Sequence, residues 1–190
     1  MRDVIDLVRD RLACLTADPS GGRTRQLANP ASNQSLELDE RVFRFALPPI
    51  LKRLYAEIGS GGFGPGYGLM GLTGGATDDL GYTALESYET RRGDDPDEPD
   101  WHWRAGLLPI CHWGCAIYSC VDCSKSTFPV VIFDPNVHDA ATTWNDSFFD
   151  ECESFERWIE LWASGVNLWD RMYGDGGPIK AVLDARDHAR

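Results

Sequence analysis

An α+β fold in a single domain is what this sequence predicts, and three features predict it. Apolar residues recur at helical spacing near both ends and before residue 60. Three short apolar, β-branched runs lie close together between 107 and 133. No linker long enough to split the 190 residues interrupts them. That order places helices around a central mixed or antiparallel sheet.

The first element is a short amphipathic helix. Val4, Ile5, Val8, Leu12 and Leu15 make one stripe, and Asp3 stands where it caps the first turn. Asp18, Pro19, Ser20, Gly21 and Gly22 end it in a loop. From 23 to 40 the chain is polar, with a turn at Asn29 and Pro30, and either runs over the surface or carries one short strand near Leu36 and Leu38. A clearer helix carries Leu47, Ile50, Leu51, Leu54, Tyr55 and Ile58 on one face. Pro48 and Pro49 sit at its start, where a missing N–H costs little, and Gly59 is placed to end it in a left-handed conformation. Glycines then run from 59 to 66 into a strand-like segment, 67–72.

Asp78 or Asp79 caps a third helix bearing Leu80, Ala84, Leu85 and Tyr88. After the polar loop 93–100, the runs 107–111, 115–121 and 128–133 read as a meander. Trp113 and Gly114 turn the first run into the second, and Asp134, Pro135 and Asn136 end the third. The last strong helix spans 155–164. Phe155, Trp158, Ile159 and Trp162 supply its stripe, Ser154 its N-cap, Glu156 a dipole-matched first turn and Gly165 its stop. Val166, Leu168, Trp169 and Tyr173 extend the apolar surface, and a weaker helix follows over 179–187.

Composition narrows the function classes. The formal charge of -12 disfavours nucleic acid and anionic membranes as partners, because both are held by Lys and Arg. It favours a basic partner or none, since charge serves solubility as readily as recognition. Charges interrupt the apolar residues at the N-terminus, and no secretory or membrane-spanning run can be drawn. A cytoplasmic protein is expected, and in that compartment the six cysteines stay reduced.

The motifs support binding rather than chemistry. A phosphate loop needs a strand before its glycines and a helix after them. The run 59–66 has the reverse order, and no Lys follows it. Neither a G-x-S-x-G nor an H-E-x-x-H is present, so the expectation is a non-enzyme without a cofactor. Cys111, Cys115, Cys120 and Cys123 lie within thirteen residues, beside His112, and four thiolates make a conceivable zinc site. Against zinc, there is a single CxxC, and the intervening Ile117, Tyr118 and Val121 look like a buried strand. Core packing is the preferred reading for these thiols. Trp101 and Trp103 flank His102 directly after Asp94, Asp95, Asp97, Glu98 and Asp100. Two indoles on one strand face, rimmed by carboxylates, suit a protein-binding anchor, but a cover for the core edge is the preferred reading.

The order of motifs resembles the SUKH superfamily, the Smi/Knr-type cell-wall-assembly-regulator-like domains. Leu47 and Pro48 open a helix that runs through Leu54 and Tyr55 to Gly61, Gly62, Phe63 and Gly64. The stretch from Leu108, Pro109 and Ile110 through Trp113, Gly114 and Cys115 to Asp122 resembles that family's central strands, continued at Pro129, Val130, Phe133 and Asp134. The segment from Ser154 to Ile159 with Trp162 and Gly165 resembles its closing helix. The likeness covers about 47–169. It departs from the family pattern at Ser60, where Asn is common, and in the longer, more acidic loop 93–100.

This resemblance implies an α+β binding domain, often an immunity protein that blocks a polymorphic toxin by direct contact. The expected partner is then a basic toxin domain, met through Asp94, Asp95, Asp97, Glu98, Trp101 and Trp103. Two other readings stand beside it: a regulatory or scaffold module on a housekeeping protein, and a small protein stabilised by zinc on the cysteine cluster.

Overall fold

Four strands hydrogen-bond in chain order as an antiparallel meander: β1 (Leu107–Gly114), β2 (Ile117–Asp122), β3 (Val130–Phe133) and β4 (Phe148–Cys152). The computed structural model describes residues 2–17, 27–93, 95, 98, 100–139 and 141–188. Seven helices surround the sheet among these residues: α1 (Val4–Ala17), α2 (Asn33–Phe43), α3 (Pro49–Glu57), α4 (Ala84–Arg91), α5 (Phe155–Ala163), α6 (Leu168–Tyr173) and α7 (Pro178–His188). The fold is α+β, as the patterning predicts.

Side-chain alternation along β2 sorts the helices into two layers. Ser119 is bonded to the carboxyl of Glu151, which also binds Trp158 of α5, and Ile117 packs with Met172 of α6 and Ile179 of α7. Tyr118, on the opposite face, lies under Arg91 of α4. The sheet is therefore covered on both sides, and β2 and β3 are buried almost throughout. Helices α1, α3 and α5 pack on one another over the Ser119 face.

Several local expectations are corrected. No strand forms near Leu36 and Leu38, because Ser32 accepts the Ser35 N–H and starts α2 there. The inward face of α2 consists of Leu36, Asp39 and Phe43, so a buried carboxylate interrupts its apolar stripe. Asp39 accepts the Thr73 hydroxyl at 2.6 Å. Gly59 is not left-handed. Ile58 closes α3 in right-handed backbone, and Gly59 is small because a Cβ would lie 2.5 Å from the Ala28 carbonyl oxygen. Helix α4 is capped by Thr83, in a capping box with Glu86, and not by Asp78 or Asp79. The segment 67–70 bonds to the outer edge of β1, through Tyr67 N–H to His112 O at 3.0 Å and Met70 N–H to Ile110 O at 2.8 Å. Strand β4 and helix α6 were not foreseen as elements.

The β1–β2 turn is also displaced from Trp113 and Gly114 by two residues. Its central residues are Cys115 and Ala116, with φ of 49° and 60°. A two-residue hairpin turn of this hand demands positive φ at both, which side chains other than Asn, Asp and Gly resist.

One buried group ties the layers together. The Glu151 carboxyl of β4 accepts the Ser119 hydroxyl at 2.7 Å and the Trp158 indole N–H at 2.6 Å, and Trp113 Nε1 donates to Ser119 Oγ at 2.8 Å. Burial pushes its pKa up to about 7, against the two donors and Arg171, which pull it down.

Two outcomes are expected. Replacing Cys115 and Ala116 together by Asn and Gly should raise stability by about 1 kcal/mol, read as a higher urea midpoint at unchanged slope. Because Glu151 holds its proton more tightly folded than unfolded, it weakens the native state progressively as pH rises from about 4.5 to about 7. Urea titrations across that window should show Glu151→Gln gaining on the parent by about 3 kcal/mol, and a constant difference would refute the assignment.

Candidate partner-binding cleft

Helix α4 ends at an arginine placed against the Tyr118 face of the sheet. The Arg91 guanidinium carbon sits 4.1 Å from the Tyr118 ring centroid, 5.2 Å from Trp103 and 5.8 Å from Phe133. Its Nε donates to Ser87 Oγ one turn earlier, at 3.4 Å. A planar cation of this kind lies flat on aromatic rings and loses less hydration than an ammonium would.

The groups around Tyr118 are mutually braced. Its hydroxyl donates to Asp78 Oδ2 at 2.9 Å, while Asp78 Oδ1 accepts the N–H groups of Leu80 and Tyr82, both at 2.9 Å. Burial, opposed by Arg91 and helped by Asp78, pushes the Tyr118 phenol up to about 12. Across the ladder His112 stacks on Tyr118 at 4.6 Å, and its Nδ1 lies 2.7 Å from Asp79 Oδ1. One carboxylate thus folds the 78–82 turn and pins it to β2.

That turn, Arg91 and the start of the acidic loop enclose an open cleft of about 290 Å³. Its floor is Tyr118 and Arg91, and its rim carries Leu80, Tyr82, Asp95 and Trp101. Leu80 is 69% exposed and Tyr82 41%, high values for large apolar side chains. A hollow of aromatic and aliphatic groups with one fixed cation and a carboxylate on its rim can seat a side chain of a protein partner.

The foreseen residues divide. Trp101 lines the cleft and donates its Nε1 to Arg91 O at 3.0 Å, and Asp95 stands on the same rim. Glu98 is exposed, and its backbone carbonyl accepts the Trp101 N–H at 2.8 Å. Trp103 is only 2% exposed, bonds Leu107 O and packs on Phe133 and Phe148, so it covers the core and presents nothing to a partner. Neither indole belongs to a strand. Asp94 and Asp97 lie outside the described residues. Arg91, Asp78 and Tyr82 were missed. Helical spacing from Ala84 through Tyr88 to Arg91 was the available signal for the first.

The cysteines do not converge. Cys111 and Cys120 are buried in the sheet, and the Cys111 thiol donates to Pro65 O. Cys123 is buried just beyond β2, whereas Cys115 is exposed in the hairpin turn, so packing inside the core describes three of the four thiols. Burial pushes the Cys120 and Cys123 thiols up and keeps them protonated. Among the described residues, no group of three His, Cys, Asp or Glu side chains is placed to hold a metal ion.

Residues 30–161 match the SMI1 / KNR4 family (SUKH-1), a span from the approach to α2 into α5 that includes the whole sheet and the cleft. No curated protein matches the chain as an individual relative.

Since Asp78 holds the cleft rim by three hydrogen bonds, Asp78→Ala should free the 78–82 turn and cost about 2 kcal/mol of stability. Faster hydrogen exchange at the Leu80 and Tyr82 amides is the diagnostic, and unchanged exchange there would show that the turn is held by other means.

Proposed function

The chain belongs to the SMI1 / KNR4 family (SUKH-1), and from that premise we propose that it is a non-enzymatic, cytoplasmic immunity protein that neutralises a basic toxin domain by binding it. The observation that carries this reading is the cleft. Exposed Leu80 and Tyr82, with the carboxylate-bearing Asp95, surround a fixed cation. Apolar anchors supply the binding energy of an interface, and opposite charge brings the partners together faster and in the right orientation. The net charge of -12 supports a basic partner in preference to nucleic acid or an anionic membrane.

The test is capture of partners from the source cell on the tagged full chain, at low and at high salt. Retention of a basic toxin that elutes as salt rises is the expected result. A housekeeping protein captured instead would assign the same cleft to a regulatory or scaffold role. No capture at any salt would defeat the binding reading.

With the partner in hand, Leu80→Ser combined with Tyr82→Ala should weaken affinity by about tenfold or more at unchanged melting temperature. Asp95→Asn with Glu98→Gln should slow association at low salt and have little effect at high salt. Equal affinity for the parent and the Leu80/Tyr82 variant would move the interface away from the cleft.

A further inference from the structure

The two ends of the sheet are finished differently. At the β1 end, segment 67–70 takes up the outward backbone groups, with Leu69 bridged to Cys111. Among the described residues the β4 end has no such cover. The Asp134 N–H bonds Ser147 O at 2.9 Å, and Ile132 pairs with Phe149 in the same register. Antiparallel geometry alternates, so the backbone polar groups of Phe148 and Asp150 point away from β3. The Phe148 N–H is used by Asn145 O in the turn before the strand. The Phe148 carbonyl and both the N–H and the carbonyl of Asp150 have no hydrogen-bond partner among the described residues. Three such groups in a row are a template for another strand.

Charge selects among the strands that could use it. From 139 to 156 the sequence holds Asp139, Asp146, Asp150, Glu151, Glu153 and Glu156, and no Lys, Arg or His. Asp139 is paired with Arg186 and Glu151 is buried. Asp146, Asp150, Glu153 and Glu156 are exposed, and none is in an ion pair among the described residues. Two neighbouring cations are engaged, Arg104 over the Phe148 ring at 4.4 Å and Arg157 with Glu160, and Arg171 lies near Glu151 and Glu153, at the far end of the strand from Phe148. A second copy of this chain is a poor occupant. Antiparallel self-pairing centred on Asp150 would set two carboxylates side by side and oppose two surfaces of charge -12.

We propose that the outer edge of β4 receives a short, extended, Lys- or Arg-bearing segment of the protein partner as a fifth strand. The proposal rests on the reading of the chain as a protein-binding domain. The irregularity between Val130 and Val131 twists the strand and restricts the added pairing to the neighbourhood of Phe148–Asp150. The edge also adjoins the cleft, because Trp144, just before β4, packs against Trp101 at 5.0 Å. One partner can occupy both.

The probe is an alternating lysine–valine heptapeptide added to the ¹⁵N-labelled full chain. Controls are the glutamate–valine counterpart and the same basic peptide methylated at every backbone amide, which keeps its charge and removes its donors. The basic peptide should slow hydrogen exchange of the Asp150 amide about tenfold, and neither control should. Asp150→Pro, which deletes an outward N–H, and Asp150→Lys should each abolish binding of the basic peptide. Equal binding of the methylated peptide would reduce the edge to a charged patch and overturn the proposal. Shifts mapping away from β4, or no shift at millimolar peptide, would also overturn it. Asp150 protection that rises with protein concentration alone would give the edge to a second copy. Capture of a native partner equally by the parent and Asp150→Pro would sink the edge and leave the binding reading intact. Peptide protection without any captured partner would do the reverse.

Discussion

A carboxyl group sealed away from water is the constraint on which this fold turns. Glu151 is held by a hydroxyl from β2 and an indole from α5, and the hydroxyl is held in turn by an indole from β1. Each donor is useful only if its element is in register, since a shift of one residue would send Ser119 or Glu151 to the other face. Hydrophobic burial supplies most of the driving force but is tolerant of such slips. A buried polar group is not, because leaving it unsatisfied costs several times the net worth of the bonds it makes. The network therefore specifies how sheet and helices meet, and burial supplies the energy once they have met.

The same logic decides which elements could be recognised in the sequence. Helix α5 was legible because its four inward residues are all large and apolar and its cap is a serine. The three central strands were legible for the same reason. Helix α2 was not, since Asp39 stands in its inward stripe and Leu38 and Val42 point outward. Strand β4 hid behind its own chemistry. In Phe148, Phe149, Asp150, Glu151 and Cys152 the buried residues are an adjacent glutamate and cysteine and the exposed one an aspartate, so the sequence does not alternate between apolar and polar. Polarity read along a chain identifies a face only when the buried positions are apolar. These two failures are the places where they are not.

The cleft was partly visible on similar terms. An indole next to a run of carboxylates drew attention to Trp101, and Asp95 and Glu98 came with it. Nothing local distinguished Trp101 from Trp103. Phe133 and Phe148, far along the chain, enclose one of them and leave the other at a rim. Arg91 and Asp78 acquire their places in the cleft largely from Tyr118, which meets them across more than twenty residues of chain. Helical spacing puts Arg91 on the inward face of α4, but nothing local says which ring it will meet there.

The distribution of charge explains why the cleft and the open strand edge share a neighbourhood. Much of the acid in the helical layer is spent internally: Asp3 and Glu57 on Arg53, Glu40 on Lys52, Asp6 on Arg9. Exposed pairs of this sort add little stability, but they leave that surface close to neutral. The excess that makes the chain -12 falls instead on the loop 93–100 and on the stretch 139–156. Trp101, directly after the first of these, packs against Trp144 within the second. A charge needed only for solubility would work as well if spread evenly. Concentrated beside unpaired backbone and exposed Leu80 and Tyr82, it sits where the proposed cationic partner would meet it and where a second copy of the chain would be opposed.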